Sequence, residues 1–262
     1  MLPVTLSHSG AVKPLLFIGN KRSGTSHLVR LLNLVPDVFV CPEADLLWLL
    51  FQQQNQLPID CYREDGNKAL RRTVHLCADL IPAKMSVRDR FLAMAMRIRL
   101  AADAPPESLH WIGDKKPVQH CDPQLRKFIY DHFADARCLH LIRHPRSVVH
   151  SMRHQADGPM PWMHCWQKSP EELLEAWVRH EEWVIDMKHE QQLPILTIRY
   201  RDLANDAEAT LNNIVKFLDV TVDDSILEQS RILTEPSSDS RYLHAPLDLT
   251  QAAQKLVDRY DL

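Results

Sequence analysis

The residues at positions 19–26, Gly-Asn-Lys-Arg-Ser-Gly-Thr-Ser, have the composition and spacing of an anion-binding loop. They follow the apolar run 14–18 and precede a helical pattern, and at such a junction backbone N–H groups and the helix N-terminus converge on a phosphate. The spacing is that of the triphosphate-binding pattern G-x-x-x-x-G-K-[ST], but Thr25 replaces the lysine that serves the β and γ phosphates. Lys21 and Arg22 stand inside the loop instead. We therefore predict a phosphate-binding loop whose positive charge lies toward a group that is in line with the first phosphate.

Further segments place polar or charged residues directly after short apolar runs, which we predict to be buried strands. These segments are Cys41-Pro42-Glu43, Gly113-Asp114-Lys115-Lys116-Pro117, Arg143-His144-Pro145-Arg146 and Tyr200. Ser151 lies eight residues after Arg143, on a predicted helix.

In their order along the chain, these segments resemble those of the sulfotransferases that use 3'-phosphoadenosine 5'-phosphosulfate (PAPS), in particular the bacterial and tyrosylprotein branches. Those branches carry a similar R-S-G-T-T loop, which is matched here by Arg22-Ser23-Gly24-Thr25-Ser26. Their strand ending in R-D-P-R and the helical serine after it bind the 3'-phosphate. Arg143 and Ser151 fall on these phosphate ligands, whereas His144 replaces the usual aspartate.

The resemblance also implies a role for each of the other matched residues. Glu43 falls on the glutamate that acts as base, and Lys115 on the lysine that serves the leaving group. Tyr200 matches a tyrosine near the adenosine. Ser238 and Arg241 lie where relatives place a loop that closes over the nucleotide, although the R-K-G motif of the cytosolic class is absent.

These residue types suit the in-line transfer of a sulfuryl group to an acceptor hydroxyl, which proceeds through a loose transition state as phosphoryl transfer does. Glu43 would take the proton of the hydroxyl as general base. Arg22 and Lys115 would stabilise charge on the bridging and 5'-phosphate oxygens, and the loop residues would add backbone and hydroxyl hydrogen bonds. A sulfuryl group carries less charge than a terminal phosphoryl group, so we expect PAPS as co-substrate and no metal ion.

Several alternatives remain open at the level of sequence. The loop is also compatible with a P-loop kinase or a non-catalytic nucleotide-binding protein, although Thr25 at the lysine position argues against the kinase. His120 or His27 could replace Glu43 as the base, because histidine titrates near neutrality. His150 and His154 have the spacing of two metal ligands on one helix face, but no acidic or cysteine cluster joins them. The Trp- and Met-rich segment 158–168, with Trp177 and Trp183, either lines an acceptor pocket or belongs to the core.

The predicted elements that position these residues alternate between strand and helix. Apolar runs predict strands at 14–19, 38–41, 109–113, 138–142 and 194–199. Helical periodicity and capping signals predict helices from 25, 42, 123, 145, 170 and 206 onward. We therefore predict an α/β fold, with a P-loop-type, mostly parallel sheet covered by helices on both faces. The chain forms one domain, 1–262, with a helical insertion or lid at approximately 60–104.

Composition excludes several classes of protein. The chain has 262 residues, 45% of them hydrophobic, and a net charge of -3, so it has no excess positive charge to hold nucleic acid. Its six cysteines show neither zinc spacing nor C-x-x-C, and its longest apolar run is much shorter than a membrane span. We expect a cytoplasmic enzyme that acts on a small-molecule, carbohydrate or peptide hydroxyl.

Overall fold

The structure is a computed structural model that describes residues 12–41, 44–56, 85–101, 109–115, 121–156, 168–234, 239 and 242–262. Within these ranges, five strands form one sheet in which every pair of neighbours is parallel. The strands are β1 (Lys13–Gly19), β2 (Val38–Cys41), β3 (Trp111–Asp114), β4 (Arg137–Ile142) and β5 (Ile195–Arg199).

The order of strands across the sheet is β2-β3-β1-β4-β5. β1 is therefore central, and the chain leaves it toward one edge through β2, whereas it leaves β4 toward the other edge through β5. Gly19 at the end of β1 lies opposite Leu141 of β4, and a Cβ atom on Gly19 would stand 2.7 Å from the Leu141 carbonyl oxygen. The close approach of the two strands thus requires a glycine at this position.

Helices connect the strands and cover both faces of the sheet. The helices are α1 (Thr25–Leu32), α2 (Leu46–Gln54), α3 (Val87–Ala101), α4 (Pro123–His132), α5 (Pro145–Ala156), α6 (Pro170–Glu190), α7 (Tyr200–Asn205), α8 (Ala207–Leu218), α9 (Asp224–Ile232) and α10 (Gln251–Tyr260). The capping box predicted at the start of α6 is present, because Ser169 Oγ accepts from Glu172 N and Glu172 Oε2 accepts from Ser169 N.

The core consists of clusters on the two faces of the sheet, as the period-two alternation of β1 requires. Leu16 and Ile18 pack with α3, α4 and α6 on one face, whereas Leu15 and Phe17 pack with α1 and α8 on the other. A further cluster joins α5, α6 and α10 and contains Trp177. The predicted α/β fold with a parallel sheet and helices on both faces is confirmed.

Helix α3 is the described part of the segment predicted as an insertion. Phe91 and Ala95 of α3 are buried in the same cluster as Leu16 of β1 and Ile112 of β3. This helix therefore packs directly on the sheet, while residues 60–84 and 102–104 of the segment lie outside the described residues. No helix in the described ranges is both long enough and apolar enough to cross a bilayer.

The start of α2 differs from the prediction that a helix opens at Pro42. The helix begins at Leu46, because a distant side chain binds the backbone amides on either side of Asp45. Asp114 at the end of β3 accepts hydrogen bonds from Ala44 N at 3.0 Å and Leu46 N at 2.7 Å. Asp45 between them has φ 53°, in the left-handed region, which ends any helix on its N-terminal side.

Candidate active site

The carboxyl ends of β1 and β4 form the crevice in which the predicted site residues meet. In open parallel sheets, ligands bind where the chain changes direction across the sheet, and here that point lies between these two adjacent strands. The loop 20–24 leaves β1 and leads into α1, and Arg143 and His144 leave β4 and lead into α5. Two segments that are more than 100 residues apart in sequence thus lie next to each other.

The loop after β1 has the conformation of an anion-binding turn. Ser23 N donates to Asn20 O at 3.3 Å, and Arg22 inside this turn has φ 67°. Gly24 has φ 98° and precedes the first turn of α1. Ser23 Oγ is buried, with no hydrogen-bond partner among the described residues, so this loop contains a polar atom that a bound phosphate could satisfy.

Tyr200 packs against the loop at Gly24. A Cβ atom added to Gly24 would lie 2.3 Å from Tyr200 Cδ2, closer than two such atoms can approach. Glycine is therefore required here twice, once by the positive φ and once by the aromatic ring. The first residue of α7, predicted from the resemblance to lie near the adenosine, borders the phosphate loop.

Arg22 and Arg143 tie the loop to the end of β4. Arg22 Nε donates to Ser151 Oγ on α5 at 3.1 Å, and Arg143 Nη1 donates to the Arg22 carbonyl at 2.9 Å. The guanidinium carbon of Arg143 lies 4.2 Å from the centre of the Tyr200 ring. We call Arg22, Gly24, Arg143, Ser151 and Tyr200 the loop cluster; these five residues were each selected from the sequence, and the fold brings them together.

Asp239 contacts the loop cluster and was not selected from the sequence. Arg143 Nε donates to Asp239 Oδ1 at 2.7 Å, and Arg143 is only 6% exposed. The only signal in the sequence was its place in the segment 237–241, from which Ser238 and Arg241 were chosen. Both of these residues lie outside the described residues.

The carboxyl ends of β2 and β3 carry the other predicted catalytic residues. Lys115 N donates to Cys41 O at 2.9 Å, which extends the pairing of β2 and β3 beyond the end of the sheet. Lys115 is half-buried. Glu43 lies outside the described residues, although Cys41 before it and Ala44 after it are held by β3. Burial, together with the nearby Asp114 carboxylate, raises the pKa of the Cys41 thiol well above its ordinary value, so this cysteine stays protonated.

The remaining loop residues differ in exposure. Lys21 and Thr25 are half-buried, Ser26 is exposed and Ser23 is buried. The loop therefore presents both charged and hydroxyl side chains at its open side, which suits the binding of a phosphorylated ligand.

Several of the alternative residues are occupied elsewhere. His27 is buried, and its Nε2 atom lies 2.8 Å from the Leu233 carbonyl oxygen after α9, to which it donates. This contact occupies the Nε2 atom of the His27 imidazole. His120 lies outside the described residues. His150 stacks on Tyr242 at 5.6 Å, and the described residues contain no group of three or more side chains arranged as metal ligands.

The two tryptophans of α6 belong to the core. Trp177 is 1% exposed and Trp183 is 6% exposed, and each packs within a hydrophobic cluster. The residues 158–167 of the Trp- and Met-rich segment lie outside the described residues.

Comparisons with known proteins identify the family of this chain and similar folds. A model of the sulfotransferase family matches residues 14–224. The structure is similar to the sulfotransferase domain of the Synechococcus PCC 7002 olefin synthase, with 18% identity, a TM-score of 0.66 and 98% of each chain covered. It is also similar to the sulfotransferase domain of the curacin biosynthetic pathway, with 18% identity, a TM-score of 0.60, and 97% of this chain and 99% of that one covered.

A sulfotransferase from Alicyclobacillus acidocaldarius is similar at 15% identity and a TM-score of 0.51, with 96% of this chain and 92% of that one covered. A search of curated protein sequences gave no significant match. At these identities the structural likeness establishes the fold alone.

Proposed function

This chain belongs to the sulfotransferase family, and from that premise we propose that it moves the sulfuryl group of PAPS to an acceptor hydroxyl, with Glu43 as general base. The loop cluster is the observation that supports this function best. It joins a phosphate-binding turn to an arginine and a serine on the next strand and helix, which is the arrangement a nucleotide with two separate phosphates requires.

The residues of the loop cluster fit the bisphosphate end of the co-substrate. Arg143 and Ser151 would bind the 3'-phosphate, together with Ser238 and Arg241. The 5'-phosphate would accept hydrogen bonds from the loop, where Ser23 Oγ is buried without a partner among the described residues. Tyr200 would lie beside the adenosine. Lys21, Thr25 and Ser26 would complete the polar surface around the 5'-phosphate and the sulfuryl group.

The proposed transfer needs only PAPS and the acceptor hydroxyl as reactants. The acceptor oxygen attacks sulfur as Glu43 takes its proton, and the bond between sulfur and the bridging oxygen breaks. The electron pair of that bond passes to the 5'-phosphate, which leaves as part of adenosine 3',5'-bisphosphate. Arg22 and Lys115 would stabilise the charge that develops on the bridging and 5'-phosphate oxygens. The acceptor is a hydroxyl of a small molecule, a carbohydrate or a peptide.

Two other functions would use the same loop. A kinase would bind the β and γ phosphates of ATP, but Thr25 stands where a kinase loop of this spacing has its lysine. A non-catalytic protein would bind the nucleotide without transferring a group. The kinase would not require the proposed 3'-phosphate site at Arg143 and Ser151, whereas the non-catalytic protein would share it.

A thermal-shift titration distinguishes these functions. The protein is titrated in parallel with adenosine 3',5'-bisphosphate, 5'-AMP and Mg-ATP, with EDTA present in the first two series. A ligand at 100 times its Kd stabilises the native state by about 2.7 kcal/mol, enough to raise Tm by several degrees. We expect the bisphosphate to bind more tightly than 5'-AMP, and preference for Mg-ATP would instead support the kinase. Release of the bisphosphate from PAPS in the presence of hydroxyl acceptors then separates an enzyme from a binding protein.

A further inference from the structure

Beneath the phosphate-binding loop, a fully buried carboxylate holds the first residue of the loop. We propose that Glu181 of α6 is a positioning residue for sulfuryl transfer: through the Asn20 amide it fixes the turn that carries Arg22. This inference rests on the proposed function for its catalytic meaning, but the contacts that support it do not depend on which nucleotide binds.

Asn20 is held at both its main chain and its side chain. Its carbonyl accepts from Ser23 N at 3.3 Å, and its Nδ2 atom donates to Glu181 Oε1 at 2.8 Å across 161 positions of sequence. The turn between these two contacts contains Arg22 in the left-handed conformation, which costs a non-glycine residue about 1–2 kcal/mol. An unfavourable conformation persists where the surroundings hold it, and the Asn20 contacts supply that restraint.

Burial of the charged Glu181 side chain destabilises the native state unless polar contacts compensate for it. Its side chain is 0% exposed, and a buried carboxylate is destabilising unless hydrogen-bond donors surround it. Its Oε2 atom lies 2.9 Å from His140 Nε2, and its Oε1 atom lies 3.4 Å from His180 Nδ1. An apolar residue of similar size would fill the same space but leave the Asn20 amide without an acceptor. The polar contact, rather than packing, therefore accounts for the carboxylate.

The sheet fixes the orientation of His140. This residue lies on β4 between Ile18 of β1 and Thr197 of β5, and its Nδ1 atom is 3.2 Å from Thr197 Oγ1. Burial lowers the pKa of His140, whereas the Glu181 carboxylate beside its Nε2 atom acts to raise it. Lys188 of α6 donates to the Thr197 hydroxyl oxygen.

Glu181 itself stays ionised. Burial acts to raise its pKa, but the nearby His140 and the hydrogen bond with His180 outweigh burial and lower the pKa. The carboxylate thus accepts from Asn20 on one side and contacts His140 of the sheet on the other, so it joins the start of the loop to the sheet.

A double-mutant cycle tests whether the two residues act as one unit. The variants are N20A, E181L and the two combined, and the readout is the Kd for adenosine 3',5'-bisphosphate measured by calorimetry. We expect each single variant to weaken binding about tenfold, as for loss of a hydrogen bond to a charged group. We expect the double variant to be no weaker than either single one, because both remove the same contact. The proposal would be overturned if the losses of affinity in the two single variants multiplied in the double variant, or if E181L bound the bisphosphate with unchanged affinity.

Two control variants separate positioning from packing. E182L makes the same chemical change at the exposed neighbouring position of α6 and should leave the Kd unchanged. M187A removes buried side-chain volume from α6 without touching Asn20, so it should lower Tm but not the affinity of the folded protein. A loss of affinity in M187A equal to that in E181L would mean that only packing matters.

A reversed pair keeps the test decisive if E181L does not fold. N20D places two carboxylates side by side and should weaken binding more than N20A does. Combined with E181Q, whose amide can donate in the opposite direction, the pair should recover part of the lost affinity. No recovery in the combined variant would contradict the proposed contact.

Hydrogen exchange of the ligand-free protein separates failure of this proposal from failure of the proposed function. Amides of 20–26 should exchange faster in N20A and in E181L than in wild type, whichever nucleotide the protein binds. If wild type fails to bind the bisphosphate but this difference is present, the function is wrong and the positioning role stands. Equal exchange in all three proteins would overturn the positioning role.

Discussion

Arg22 and Ser151 lie 129 positions apart in sequence, and Arg22 Nε donates to Ser151 Oγ at 3.1 Å. The arginine belongs to the loop after β1 and the serine to α5, so this bond joins the two segments expected to hold the two phosphates of the nucleotide. Ser151 has one hydroxyl, which can accept from Arg22 while donating to a phosphate oxygen. The proposed 3'-phosphate site is thus coupled to the loop before any ligand binds.

Replacement of Ser151 by alanine tests whether it contacts the 3'-phosphate. We expect S151A to weaken adenosine 3',5'-bisphosphate about tenfold and 5'-AMP much less, because only the bisphosphate carries the phosphate that the hydroxyl serves. Calorimetric titration of both nucleotides gives the ratio. S147A, at a buried serine of the same helix, is the matched control and should leave the ratio unchanged. Equal losses for both nucleotides in S151A would assign the serine to the fold alone.

Replacement of Asp239 is expected to strengthen nucleotide binding, whereas replacement of Ser151 is expected to weaken it. Its carboxylate lies 2.7 Å from Arg143 Nε, so a 3'-phosphate bound to Arg143 would stand close to a second negative charge. D239N removes the charge and keeps an oxygen that can accept from Arg143. We expect D239N to bind adenosine 3',5'-bisphosphate about 3- to 10-fold more tightly at low salt, with a smaller gain at high salt. Weaker binding in D239N would mean that the charge of Asp239 serves to orient Arg143.

Replacement of Glu43 by glutamine tests the proposed base. We expect E43Q to lower kcat by about 10²- to 10⁴-fold while the affinity for adenosine 3',5'-bisphosphate stays unchanged. Steady-state kinetics with PAPS and calorimetry on the same protein measure the two effects. H120N is the companion variant, because histidine is the alternative base. A large loss of kcat in H120N, with E43Q still active, would transfer the role to His120.

Asp114 at the end of β3 binds the backbone that directly follows Glu43. D114N keeps an oxygen for one of its two backbone donors, Ala44 N or Leu46 N, and removes the charge that strengthens both bonds. We expect the free energy of unfolding to fall by about 1–3 kcal/mol, and kcat to fall as well, because residues 44–46 follow Glu43 directly. Urea unfolding and kinetics measure these effects. D122A, which removes the N-cap side chain of α4, should cost about 1 kcal/mol and leave kcat unchanged.

The sequence was sufficient to predict the strands and the loop for a physical reason. A strand that is covered on both faces must be apolar at nearly every position. β1 is an uninterrupted apolar run from Pro14 onward, and β4 is apolar from Cys138 to Ile142 except at His140. The glycines at 19 and 24 are equally visible, because close backbone approach and positive φ each leave few other residues possible. These requirements can be recognised from residues that are neighbours in the sequence.

The contacts that complete the site depend on residues far apart in sequence. Nothing near Asn20 indicates that its acceptor is Glu181, and nothing near Arg143 indicates Asp239. The start of α2 was predicted wrongly for the same reason, since the turn before it is held by Asp114 of β3. Periodicity describes one element at a time, whereas these partners are chosen by the packing of several elements.

Buried histidines beneath the site make stability depend on pH. His144 is 8% exposed, and burial is the main cause that lowers its pKa. Its Nδ1 atom accepts a hydrogen bond from Arg146 N at 3.2 Å, and only an unprotonated nitrogen can accept. In the unfolded chain a histidine binds its proton near pH 6.5, so below that pH the unfolded state holds more protons than the native state. The stabilising contribution is therefore complete above about pH 6.5 and is lost as the pH falls toward the lowered native pKa.

We expect the free energy of unfolding, measured with urea between pH 7.5 and 5.5, to fall by at most about 1.4 kcal/mol per pH unit for each such histidine. H144N keeps an oxygen where Nδ1 accepts its hydrogen bond but cannot titrate, so its decline over this range should be shallower than that of wild type. His140 is also buried with a lowered pKa, so part of the decline should remain in H144N. Above pH 7.5 the difference between the two proteins should be constant. Equal slopes in both proteins, or stability that rises on acidification, would contradict a neutral His144 in the native state.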